Sequence, residues 1–164
     1  MNNVNDIRIL LVDDEEKFLQ AVAERLILKG FRVTSATNGE AALKAATKDR
    51  FDVAVVDLQM PGIDGTQLLK TLKGNHQFLE IIMLTGHATV DSAVECTKLG
   101  AYKYLEKPYS YENLVEVLKE AYQHRMQKKF ESNQNKIQEM QKLSLRHSPL
   151  GLLKALSHLD DSRK

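Results

Sequence analysis

The chain has 164 residues, of which 43% are hydrophobic and 27% charged, with a formal net charge of +1. That length holds one domain of ordinary size plus an appendage, and that composition belongs to a globular fold rather than a disordered or fibrous one. The near-neutral total excludes global steering toward nucleic acid or a membrane surface, and the single cysteine, Cys96, excludes an intrachain disulfide and a CxxC metal knuckle.

The charge is unevenly spread. Residues 1–122 carry 14 Lys/Arg and 18 Asp/Glu, and residues 123–164 carry 9 and 4, which places a boundary near residue 122. Two parts are therefore expected, a domain over 1–122 and a helical extension over 123–164. Apolar runs such as Ile9–Val12 and Ile81–Leu84 are far too short to span a bilayer. The opening MNNVNDIRI lacks the basic, apolar and small-residue order of a signal peptide, so a cytoplasmic protein is expected.

Ile7–Val12 (IRILLV) predicts a first strand, stopped by Asp13-Asp14-Glu15-Glu16. A helix follows to about Lys29, with Phe18, Val22 and Leu26 spaced by four and Gly30 at the stop position. Phe31–Ala36 alternates like a more exposed second strand, Asn38-Gly39 predicts a turn, and Ala-rich Glu40–Lys48 a helix. Val53–Val56 is an unbroken apolar run suited to a strand buried on both faces; it ends on Asp57, and Pro61-Gly62 turns the chain. A third helix covers roughly Gly65–Lys73, with Leu68, Leu69 and Leu72 inward and Gly74-Asn75 ending it. Leu79–Leu84 is strand four, Thr85-Gly86-His87 a turn, and Thr89–Leu99 a helix closed by Gly100. Ala101–Leu105 is a short fifth strand, Glu106-Lys107-Pro108 a loop, and a fifth helix opens near Ser110.

Five alternations of strand and helix predict an α/β fold, a parallel sheet with helices on both faces. Right-handed crossovers leave the doubly wound, flavodoxin-like order 2-1-3-4-5 as the smallest solution, with a C-terminal helical extension. That order sets the ends of strands one and three side by side at the switch point, so Asp13, Asp14 and Asp57 converge in one cleft. Three carboxylates at neutral pH repel one another, and a hard divalent cation relieves the repulsion. Mg²⁺ suits a site with few carboxylates, because it keeps waters and takes the rest of its shell from a phosphate. Thr85 ends strand four with a hydroxyl and Lys107 follows strand five with an ammonium, which completes a place for phosphoryl transfer.

The motifs LLVDDEE, VVDLQMPGIDG, MLTGHATVDSAVE and YLEKP stand in one order and spacing. In these motifs, over about residues 5–122, the chain resembles the receiver domain of bacterial two-component response regulators. The segment LTGHATVDSAV is most similar to receivers of the nitrogen-regulation, enhancer-binding class. The resemblance implies that Asp57 is the phosphoacceptor. It implies that Asp14 and Asp57 ligate Mg²⁺ directly, with Asp13 acting mainly through water and the Gln59 backbone carbonyl completing the protein's share. Lys107 is implied to pair with Asp57 at rest and with the phosphoryl group afterwards, across a cis Lys-Pro bond. Thr85 is implied to bond the phosphoryl group, Tyr104 to turn inward when Thr85 moves, and Gln59 and His87 to flank the hydrolytic water. The implied donor is a histidine kinase or phosphotransfer protein, and the implied readout surface is helix four, strand five and helix five. That class usually continues into an ATPase module and a DNA-binding domain; with no GxxxxGK[ST] motif and about forty residues left, neither is expected here, and the output partner is an unnamed protein.

Two other readings compete. A Mg²⁺-dependent aspartyl-phosphate phosphatase of the haloacid-dehalogenase type needs an acid two residues after the nucleophile, where this chain has Gln59. A binding module that is never phosphorylated leaves the full acidic set and Lys107 without a purpose. The basic tail lacks a recognition-helix pattern, which disfavours nucleic acid as a partner. Met126, Phe130, Asn133, Ile137, Met140 and Ser144 instead recur at heptad spacing, predicting a coiled coil over 126–145 and a homodimer through it. Ser148-Pro149 predicts a cap and first turn for a short amphipathic helix over 149–159, bearing Leu152, Leu153, Leu156 and Leu159.

Overall fold

The sheet forms around three strands whose residues are apolar at almost every position: β1 (Arg8–Val12), β3 (Val53–Val56) and β4 (Glu80–Thr85). This is a computed structural model, and it describes residues 4–146 and 156–157. With β2 (Arg32–Ala36) and β5 (Lys103–Glu106) at the edges, all five strands run parallel in the order β2-β1-β3-β4-β5. Ile9 sits opposite Val53 and Val12 opposite Val56, which in turn faces Met83. Every residue of β3 and β4 is buried, whereas both edge strands are half exposed, as their polar residues require.

Successive strand residues point to opposite faces, so one sheet feeds two cores. Ile9, Leu11, Val53, Val55, Ile82 and Leu84 pack beneath α1 (Glu16–Lys29) and α5 (Tyr111–Arg146). Leu10, Val12, Ala54, Val56, Ile81 and Met83 pack beneath α2 (Gly39–Lys48), α3 (Gly65–Asn75) and α4 (Val90–Lys98). Leu68, Leu69 and Leu72 of α3 are fully buried, each contributing roughly 1.5–3 kcal/mol by leaving water.

Several local expectations shift. On α1 the deepest side chains are Leu19, Ala23 and Leu26; Phe18 and Val22 are half-buried beside them, so the inward stripe is turned by one residue. Asn38 is the N-cap of α2, its side chain accepting from Ala41 N, rather than part of a free turn. Gly74 and Asn75 lie in the last turn of α3 instead of ending it. β5 begins at Lys103, later than expected. Gly30 does stop α1, with φ of 113°.

Below the amino ends of the strands, two buried carboxylates meet consecutive residues of α5. Asp52 accepts from Arg125 Nε at 3.0 Å and from Arg8 N at 2.8 Å. Glu80 lies 3.3 Å from His124 Nδ1, and the His124 ring packs on Tyr102 with centroids 5.1 Å apart.

The chain forms two compact units, Met1–Arg125 and Met126–Lys164. In the second, α5 continues without a break to Arg146. Of the segment expected as a short amphipathic helix over 149–159, only Leu156 and Ser157 are described, in helical conformation; the rest lies outside the described residues. Among the described residues, no helix is long and apolar enough to cross a membrane.

Candidate functional site

β1 and β3 end side by side, Val12 opposite Val56, so the residues that follow them are neighbours. Asp13 and Asp57 are both buried, at 2% and 6% exposure, and Asp14 is exposed. One carboxylate oxygen from each of the three lies within 4.8 Å of the others. Asp13 is held by its own turn, Oδ1 accepting from Glu15 N at 2.9 Å. Asp57 Oδ1 is buried and accepts no hydrogen bond.

Lys107 follows β5 and reaches across to this cluster. Its nearest partner is Asp13 Oδ2 at 2.5 Å, with Glu15 at 3.6 Å and Asp57 Oδ2 at 3.9 Å. The sequence reading paired it with Asp57 first. Where several carboxylates surround one ammonium, the cation settles among all of them, and here it sits closest to Asp13. Its underside rests on the Phe18 ring, 4.1 Å from the centroid, a cation–π contact that explains why Phe18 is not deeper in the core. The Lys107-Pro108 bond is cis.

Electrostatics follow from this placement. Burial pushes the Asp57 carboxyl above the ordinary carboxylate value and the Asp13 charge adds to the push; the Lys107 ammonium, the Gln59 backbone N–H and the Thr85 hydroxyl oppose it without cancelling it. Burial alone pulls Lys107 down, yet its bond to Asp13 and the charges of Asp13, Asp57 and Glu15 leave it above its usual value. The ammonium is therefore charged at any physiological pH.

The remaining predicted residues divide. Thr85, at the end of β4, is fully buried and its Oγ1 accepts from His87 N at 3.1 Å. Gln59 and His87 line the cleft of about 610 Å³ that opens beside Asp57 and Asp14. Tyr104 is turned toward α4: its hydroxyl is 2.5 Å from Ser92 Oγ and accepts from Thr89 N at 3.4 Å. Ser92 is a residue that sequence reasoning missed; Thr89 and Ser92 form the capping box of α4, a signal that could have drawn attention to it. Glu15 and Phe18 were missed likewise, because only the fold brings Lys107 over them.

Gly65 makes the site's close packing possible. A Cβ there would stand 2.2 Å from the Asp57 carbonyl oxygen and 2.6 Å from Leu58 Cα. Asp64 caps α3 by accepting from Gln67 N, so the Asp64-Gly65 pair starts a helix directly against the Asp57 backbone.

Comparison with known proteins agrees with this geometry. The response regulator receiver domain family matches residues 9–119. A putative NtrX-like response regulator of Rickettsia felis is 34% identical over 120 residues, which are 72% of this chain and 25% of that protein. A CheY-like receiver domain protein of Methanospirillum hungatei superposes with a TM-score of 0.72 at 29% identity, covering 74% of this chain and 98% of that one. The beryllofluoride-activated NtrC4 receiver domain, solved as a dimer, gives 0.68 at 36% identity over 72% of this chain and 98% of that one. The chain spans about a quarter of the length of the curated relatives it matches. With five parallel strands in this order, an acidic pocket at their carboxyl ends and a family match over most of the first unit, the chain belongs to the receiver domain family of two-component response regulators.

Proposed function

We propose that this chain accepts a phosphoryl group on Asp57 from a phosphohistidine of a sensor histidine kinase or phosphotransfer protein. The observation that carries the proposal is Asp57 itself: a buried carboxylate at the end of the central strand, facing a cleft, with one oxygen unpartnered and an ammonium 3.9 Å from the other. A carboxylate oxygen attacks phosphorus, the N–P bond of the donor breaks, and an acyl phosphate results. Positioning and charge are nearly all that such a transfer demands of a protein.

The residues present fit Mg²⁺. Three carboxylates share one small volume with a single ammonium, and the unpartnered Asp57 Oδ1 is the kind of hard ligand Mg²⁺ takes. Asp14, Asp57 and the Gln59 carbonyl would hold the ion, with Asp13 acting through water. When bound, the ion supplies charge neutralisation on the transferring phosphoryl oxygens. Lys107 leaves Asp13 to take up charge on the phosphoryl group, and the Thr85 hydroxyl turns the bond it donates from the Asp57 carboxylate to the phosphoryl group. Gln59 and His87 line the cleft, where they set access for the water that later hydrolyses the acyl phosphate.

The signal leaves through α4, β5 and α5. Tyr104 ties β5 to the first turn of α4 through Ser92, and Val90 and Val94 of α4 are exposed at 80% and 47%. A shift of Thr85 frees Tyr104 to turn inward, which repacks that face for an output protein. Residues 126–145 are the element through which two copies associate.

Acetyl phosphate with Mg²⁺ provides the test. Wild type gains one phosphoryl mass by intact-mass measurement, and Asp57→Asn gains none. A mutant that is still phosphorylated places the acceptor elsewhere and overturns the reading.

A further inference from the structure

The cleft beside Asp57 is walled by charge of one sign. Asp14, Glu15, Asp57 and Asp64 all line it, and its other lining residues include the His87 imidazole but neither lysine nor arginine. Asp57 is 6% exposed, and its Oδ1 stands there without a hydrogen-bond partner. The cation that serves the site is set back: the Lys107 side chain is 13% exposed and lies closest to Asp13. A donor therefore meets carboxylates before it meets the ammonium.

These carboxylates are not equivalent. Asp13, Asp14 and Asp57 share one small volume, where a bound divalent cation offsets them. Glu15 and Asp64 stand outside that cluster. Glu15 holds the N-cap position of α1, yet its side chain makes no capping hydrogen bond and turns instead to Lys107, 3.6 Å away. Its side chain is 67% exposed, so the pairing is weak and most of its charge remains to act on the cleft. Asp64 does cap α3, accepting from Gln67 N, and the helix N-terminus offsets part of its charge.

We propose that Glu15, seconded by Asp64, is a specificity-determining residue that selects the phosphoryl donor by net charge, favouring nitrogen-linked phosphoryl groups over free acyl phosphates. The role rests on Asp57 as phosphoacceptor and adds the class of donor that Asp57 takes fastest. At neutral pH acetyl phosphate is a dianion. Phosphoramidate carries the same phosphoryl group on a protonated nitrogen and is a monoanion, as is a phosphohistidine whose second ring nitrogen holds a proton. With either small donor an Asp57 oxygen attacks phosphorus and the same acyl phosphate forms. The O–P bond of acetyl phosphate breaks and acetate leaves with the electron pair; the N–P bond of phosphoramidate breaks and ammonia leaves with it. Each wall carboxylate repels a dianion about twice as strongly as a monoanion at the same distance. Removing a wall charge must then speed transfer from the acyl phosphate more than transfer from the phosphoramidate. The leaving groups differ, but that difference cancels when the ratio of the two rates is compared between variants.

Rate constants for both donors, read by intact mass on the full chain at neutral pH, low ionic strength and saturating Mg²⁺, decide it. Glu15→Gln is expected to raise the ratio of the acetyl phosphate rate to the phosphoramidate rate by roughly two- to fivefold. Asp64→Asn, which keeps a capping side chain, is expected to raise it less. Glu15→Asp retains the charge and is expected to keep the ratio near that of wild type. Glu40→Gln, on the neighbouring groove beside α2, is expected to leave it unchanged. Added salt is expected to draw all the variants toward one ratio. A ratio unmoved in Glu15→Gln overturns the inference. So does an equal rise of both rates, which means a better-placed Lys107 or metal rather than a choice of donor. In both of those cases phosphorylation of wild type but not of Asp57→Asn leaves the phosphoacceptor reading standing. A wild type that neither donor phosphorylates sinks both.

Discussion

At Asp57 two requirements oppose each other: a nucleophilic carboxylate must be ionised, and it must be sheltered enough to hold a reactive product. Burial and the neighbouring Asp13 charge raise its pKa from 3.8. A carboxyl raised in the folded chain binds its proton more tightly there than when unfolded. It therefore favours folding below its unfolded value and opposes folding as pH rises through the folded one. In metal-free buffer at pH 7, Asp57→Asn should therefore be more stable than wild type and melt at a higher temperature. The difference should shrink toward zero as pH falls below about 4, and thermal melts across that range check it. Lys107→Ala should act in the opposite sense. It leaves Asp13, Asp57 and Glu15 without their shared cation, at a cost of roughly 2–3 kcal/mol in the absence of divalent ions. The same variant should still bind Mg²⁺ but lose the response of Tyr104 to beryllofluoride. A wild-type-like chemical-shift change at Tyr104 would remove Lys107 from the switch.

Among the elements, α3 shows how backbone proximity constrains a site. Gly65→Ala drives a methyl into the Asp57 carbonyl oxygen and the Leu58 backbone, neither of which can rotate away. A loss of roughly 3 kcal/mol or more is expected. Gly74→Ala, in the same helix with nothing within 4 Å of the added carbon, should instead stabilise by roughly 0.5–1 kcal/mol through helix propensity. Urea denaturation of the two variants side by side separates steric from propensity effects. α5 offers a second contrast. Arg125 and Asp52 are both buried, so Arg125→Ala leaves the Asp52 carboxylate with Arg8 alone and should cost roughly 1–3 kcal/mol. The exposed Arg25–Glu112 pair between α1 and α5 should contribute little when broken, as surface pairs do.

Over the whole molecule, the two units differ in what stabilises them. The first buries both faces of a five-stranded sheet; the second, within its described residues, is a helix whose large apolar side chains meet solvent. Association stabilises by mass action, so the second unit alone should respond to concentration. Hydrogen exchange should find strong, concentration-independent protection for amides in β1, β3 and β4. Protection of residues 126–146 should grow as protein concentration rises from low to high micromolar. Equal protection at both ends of that range would mean that the helix is stabilised without a second copy.

The sequence by itself determined the fold class, the strand order and the convergence of Asp13, Asp14 and Asp57. Each rests on local pattern: apolar runs long enough for strands, Gly and Asn/Asp punctuation at helix ends, and a connection rule that leaves few topologies. It also placed Leu68, Leu69 and Leu72 correctly, because a helix buried along one stripe repeats at a fixed spacing. Packing alone decided which carboxylate holds Lys107, since that contact joins residues 94 apart within 2.5 Å and turns on how far a side chain reaches past β4 and β3. The same holds for Tyr104 turning to Ser92, for Phe18 lying under the ammonium, and for Asp52 meeting Arg125. Spacing along the chain specifies which face a residue occupies, while the partner it finds there depends on distances of a few ångströms between elements that are remote in sequence.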